Sequence, residues 1–217
     1  LAENNQGYSN LMKIVSAGFV DGYYYKPRVD MEILETYHEG IIALSACLAG
    51  EVSRYLMKGL YIEGKNAALK YQNIFGKGNF FLEMQDHGIS QQQMVNQQLM
   101  RMSQETGIEL VCTNDVHYTY AEDETPHDIL LCIQTGKKVQ DEDRMRYEGG
   151  QYYVKSPEEM AQMFPYVPQA LENTQKIDFN AIRTENNLRK SALISDYDPI
   201  TGKGCYGKRK AVSIQGK

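Results

Sequence analysis

Apolar residues recur along the chain at two spacings. Some stretches repeat every three or four positions, others are short unbroken runs, and the two alternate. Over 7–19, Leu11, Ile14 and Val15 share one helical face. Residues 29–37 repeat the helical pattern, with Asp30 placed to cap it and Gly40 to stop it. Residues 41–46, IIALSA, form a short apolar run of the kind buried in parallel sheets. Helical spacing returns over 51–59 and 62–76, and 79–85 reads as a strand. A helix over 90–107 keeps Met94, Val95, Leu99 and Met102 in register, with Ser90 as the expected cap. A strand at 108–113 then precedes helical patterns at 124–136, 157–164 and 166–177.

This alternation predicts an α/β fold with a mainly parallel sheet and crossover helices. In such sheets functional groups collect just beyond the C-terminal ends of strands. The strand at 108–113 runs straight into Asn114, Asp115 and His117. Residues two apart in extended chain point to one side, so this carboxylate and imidazole can face one ion. The pair suits zinc, manganese or iron. Cys47 holds the equivalent place after 41–46, with Gly50 and Glu51 opening the next helix. From spacing alone, the simpler readings are a turn-capping Asp beside a surface His, and a small buried Cys47.

The other three histidines read first as structural or surface groups. His38 sits at a helix end, His87 in the polar turn MQDHGIS next to Asp86, and His127 in the first turn of the 124–136 helix. FGKGN and YEGGQ are turns; neither is a phosphate-cradling loop, and no nucleophile elbow is present. Four separated cysteines without a C-x-x-C pair predict a reduced, cytoplasmic protein. Neither a signal peptide nor a membrane-spanning stretch is expected. A net charge of −5 argues against a generic nucleic-acid binder. The charge is uneven: residues 1–177 carry 15 basic and 24 acidic side chains, residues 178–217 carry 8 and 4. That shift predicts a boundary, with 178–217 as a basic tail containing Lys208, Arg209 and Lys210.

Four blocks then carry a resemblance: LSACLAGEV, FFLEMQDHGI, CTNDVHYTYAEDETPHDILLCIQTGK and SPEEMAQMFPYVPQALENTQKI. In order and content they resemble the N-terminal PHP (polymerase and histidinol phosphatase) domain of bacterial C-family replicative polymerases, the DNA polymerase III alpha subunits. The likeness runs over residues 1–177, expected to be a partial PHP domain; no family is recognised in 178–217. It implies an incomplete, distorted PHP-type barrel with mainly parallel strands and outer helices.

The resemblance also gives the candidate ligands a shared purpose. Asp115 and His117 match the family's T-N-D-x-H-Y ligands, and Cys47 matches the cysteine of its S-G-C-L-x-G-E motif, with Ala46 where glycine is usual. A divalent metal, zinc or manganese, is implied there, in a site linked to 3′–5′ proofreading. The chain is expected to be a fragment of a DNA-directed DNA polymerase. Its partners would be DNA, deoxynucleoside triphosphates and other replisome subunits, with no membrane. The family's H-x-H strand, most PHP ligands and the polymerase aspartates with their magnesium are absent from these residues. No catalytic residue is therefore assigned, and inactivity in isolation is expected. A free-standing metal-dependent PHP phosphoesterase would need its own H-x-H strand. A non-catalytic interaction module would use the basic tail.

Overall fold

The computed structural model describes residues 1–147 and 149–181. Nearly all of the expected basic tail, including Lys208, Arg209 and Lys210, lies outside the described residues. Two compact units divide the chain: one takes in Leu1–Ala43 together with the segment from Gln175, the other Leu44–Thr174.

In the first unit, α1 (Asn5–Val20) starts two residues earlier than the apolar spacing predicts, because Asn4 caps it by accepting a hydrogen bond from Gly7 N at 2.9 Å. Asp30 caps α2 (Met31–Thr36) as expected, accepting from Ile33 N at 3.0 Å. The start of α1 is pressed against the following turn: a Cβ on Gly7 would lie 1.7 Å from Gly40 O, and Gly40 itself has φ +70°. Asn10 reinforces the contact by donating to Glu39 O. Leu1 and Ile42 exchange backbone hydrogen bonds beside an Ala2–Ile41 bridge, and Ile14, Ile41 and Ile42 are buried.

The second unit holds the parallel strands. β1 (Ala43–Leu44) lies at the division between units, and the sheet order is β1-β2-β3. β2 (Phe80–Met84) and β3 (Leu110–Cys112) run parallel with Leu82 opposite Leu110 and Met84 opposite Cys112. Phe81, Leu82 and Met84 are at most 1% exposed, as expected of a strand covered on both faces. α3 (Glu51–Met57) packs on α4 (Tyr61–Phe75) and α5 (Ser90–Thr106), and α4 and α5 both lie on β2. The buried face of α5 is Val95, Leu99 and Met102, three of the four residues its spacing predicts; Met94 is exposed. After β3 come a short 3-10 turn, α6 (Glu124–Thr135), α7 (Pro157–Met163) and α8 (Pro168–Ala181), which crosses Ile177 without a break.

Two local expectations are corrected. Ser90 does not cap α5: the N-cap is Ile89, and the Ser90 hydroxyl turns to Gln91. The strand expected over 41–46 shortens to Ala43–Leu44, because Ala46 turns to φ +64°. Ser45 extends the pairing instead, its N–H reaching Phe81 O while its hydroxyl accepts from Glu83 N. The expected α/β class with parallel strands is what these residues form. Three strands do not themselves close a barrel.

Ser156, which forms a capping box with Glu159 at α7, should cost about 1 kcal/mol of stability on change to Ala. Ser90→Ala should stay within about 0.5 kcal/mol; urea denaturation of the two variants checks the contrast. Burial pushes the Cys112 thiol from its ordinary 9.0 up to about 12. The folded state thus keeps a proton that the unfolded chain releases, and stability should fall as pH rises from 9.0 towards about 12. Cys112→Ala should flatten that fall in pH-dependent denaturation curves.

Candidate functional site

The loops that follow β1, β2 and β3 all belong to the second unit, and side chains rather than ladder hydrogen bonds join them. His87, in the loop after β2, is 3% exposed. Its Nε2 lies 3.0 Å from Asn114 O, a carbonyl that only accepts, so Nε2 carries the proton. Nδ1 then accepts from the Gln92 amide at 2.9 Å, while Gln92 Oε1 accepts from His87 N at 2.8 Å. α5 therefore positions His87, and His87 positions the loop after β3. Asn96, one turn further along α5, donates to Gln85 O.

Asn114 passes the constraint on. Its amide donates to Gln151 O at 3.0 Å and to Tyr153 O at 2.7 Å. Between those carbonyls, Tyr152 O accepts from both His117 N and Tyr118 N, and Val154 N donates to Thr119 O. Residues 151–154 thus strap the segment that carries the candidate ligands.

Under that strap Asp115 adopts φ +43°, and its carboxylate comes within 3.5 Å of His117 Nε2. Left-handed backbone is uncommon outside glycine, and Asp tolerates it better than most residues. The structure therefore brings Asp115 and His117 together, both partly exposed. Cys47 follows Ala46, also left-handed, in a turn so tight that a Cβ on Gly50 would lie 2.2 Å from Ser45 O. Half-exposed Cys47 lines a small recess of mixed character with Leu48, Val95, Glu83, Gln85 and Gln92. Among the described residues, the buried Gln85 Oε1 and Asn114 Oδ1 have no hydrogen-bond partner.

Tyr147 joins the parts. Its ring centre lies 4.1 Å from that of His117, and burial, followed by the charges of Asp115 and Cys47, pushes its hydroxyl above the ordinary 10.0. Tyr152 stacks on His87 at 3.9 Å, and His127 approaches Tyr147 and His117 at 5.3 and 5.7 Å. Sequence reasoning placed His87 and His127 as structural or surface groups and did not single out Tyr147. Nothing in the stretch RMRYEGGQ, which lacks periodicity, points to it.

The donors suit a divalent cation of the zinc or manganese kind, a carboxylate oxygen and an imidazole nitrogen with a thiol nearby. Among the described residues, however, no three His, Cys, Asp or Glu side chains gather closely enough to hold a metal. A catalytic zinc takes three protein ligands, so the described residues alone do not fit a complete metal site.

Residues 1–87 match the PHP domain family. The chain is 44% identical over 177 residues to the DNA polymerase III subunit alpha of Borreliella burgdorferi, and 45% identical over 177 residues to that of Treponema pallidum. To the same subunit of Helicobacter pylori it is 42% identical over 187 residues. These matches cover 81–82% of this chain but 15% of each relative. No helix among the described residues is long and apolar enough to cross a membrane.

Asn114→Ala leaves Tyr153 O without its donor, while Gln151 O keeps Lys155 Nζ, and should cost about 1–3 kcal/mol, the usual cost of one lost buried partner. Ala46→Gly relieves left-handed strain and should add up to about 1 kcal/mol, since that conformation costs a non-glycine residue roughly 1–2 kcal/mol. Chemical denaturation of both variants reads the two opposite signs.

Proposed function

We propose that the chain is part of a bacterial DNA polymerase III alpha subunit, covering part of its PHP-domain region, and that it supplies one face of the metal-binding PHP site of such a polymerase. The observation that carries this reading is the Asp115–His117 pair, held 3.5 Å apart at the end of β3 beneath a strap, with Cys47 sharing Tyr147 as a neighbour. Asp115, His117 and Cys47 are the proposed ligands. The remaining donors would come from elsewhere in a longer protein, in an incomplete PHP-type barrel of which the three strands here are a part.

Such a site, loaded with zinc or manganese, supplies activated water and charge neutralisation for cleaving a phosphodiester. This chain's own residues orient the donors: His87 and Asn114 fix the loop, and residues 151–154 hold His117 in place. The proposed role in the whole enzyme is 3′–5′ proofreading beside DNA-templated synthesis. DNA, deoxynucleoside triphosphates and other replisome subunits would be the partners, and magnesium would serve the polymerase residues outside this chain. The 217 residues alone should hydrolyse nothing.

In the full-length polymerase, Asp115→Ala and His117→Ala should each lower PHP metal content. They should cut metal-dependent 3′–5′ exonuclease activity at least about 100-fold, since even residues behind the ligands give 10–100-fold effects. Nucleotide addition should continue. Unchanged metal content and exonuclease activity in both variants would overturn the assignment.

A further inference from the structure

Tyr147 has a second environment. With Glu124, Thr125, Asp128, Arg144 and Arg146 it lines a cavity of about 430 Å³, within the roughly 300–1,000 Å³ usual for ligand pockets. Tyr147 is thus common to this cavity and to the surroundings of His117. Its two arginines differ. The side chain of Arg144 is 4% exposed and grips both oxygens of Asp128, so its charge is neutralised within the wall. Arg146 gives one hydrogen bond to Asp141 O and, among the described residues, forms no ion pair. A guanidinium has five N–H donors in a fixed fork that matches phosphate oxygens.

We propose that this cavity is a nucleotide subsite that receives the terminal nucleotide of a DNA strand, its phosphate on Arg146 and its base or sugar against Tyr147. The mixture of groups selects the ligand class. A bare phosphate would meet the carboxylate of Glu124 as well as Arg146, which disfavours it. A nucleotide satisfies both, because its sugar hydroxyl or exocyclic amine can donate to Glu124 while its phosphate accepts from Arg146. Thr125 adds a hydroxyl, and Tyr147 offers an aromatic ring, on which any base can stack. The proposal deepens the metal-site reading and rests on it for the orientation of the strand. A nucleotide seated here lies beside His117, where the preceding phosphodiester would meet Asp115 and His117.

The test is binding of deoxyadenosine monophosphate to the 217-residue chain, followed by NMR titration in EDTA so that no metal takes part. Saturable binding is expected, with deoxyadenosine and inorganic phosphate each weaker than the nucleotide. Arg146→Ala should weaken binding at least about tenfold and Arg146→Lys less, as a lost fork of charge-assisted hydrogen bonds implies. Tyr147→Ala should weaken it about tenfold while Tyr147→Phe retains it, as expected for base stacking. Arg101→Ala, which removes an equal charge outside the cavity, should change nothing. Matching thermal unfolding curves would show that the exposed Arg146 variants remain folded. No saturable binding by the wild type, equal binding by Arg146→Ala, or an equal loss in Arg101→Ala would overturn the proposal. Failure of the metal reading would show in metal content instead, which this experiment does not involve.

Discussion

The candidate site depends on a buried imidazole with a single workable tautomer. The ladder between β2 and β3 ends near Cys112, and beyond it the chain has no sheet to hold its course. His87 takes over: Gln92 fixes its Nδ1 side, and its Nε2–H reaches across to Asn114 O. Buried polar groups in a low-dielectric interior are costly when unpaired and rigidifying when paired. A chain of such pairs runs from α5 through His87 and Asn114 to residues 151–154, and it sets where Asp115 and His117 stand.

That rigidity explains how two non-glycine residues keep left-handed backbone at the ends of separate strands. Ala46 and Asp115 have φ of +64° and +43°, each beside or at a proposed ligand. Strain of this sort persists only where the surroundings over-determine it. Gly50 wedged against Ser45 O does so for the first turn, and the Asn114 strap does so for the second. Tyr147 packs near His117 and also lines the arginine-bearing cavity.

Periodicity made most of this scaffold legible. The buried face of α5, the existence of β2 and the cap at Asp30 follow from residue spacing and side-chain chemistry alone. The placement of Asp115, His117 and Cys47 after strands was legible from the alternation of elements, and the purpose proposed for them comes from family resemblance. The capping of α5 was misread because Ser90 carries the right chemistry one residue too late, inside the helix. The roles of His87, Asn114 and Tyr147 could not be read from spacing. Their partners are set by tertiary contact, with Asn114 and Gln151 37 residues apart, and polar segments without a repeat carry no register.

The strap also exposes the molecule to chemical ageing. Asn114 serves because its amide nitrogen carries two hydrogens, both given to carbonyl oxygens. Asparagine is among the thermolabile residues. Its hydrolysis to aspartate would set a charged oxygen against those same carbonyls, turning two attractions into repulsions without altering the shape of the side chain. A protein stored long enough to gain that one change would lose the tether over His117 while its sheet and helices stayed intact, and intact-mass analysis alongside near-ultraviolet circular dichroism would see the two events apart.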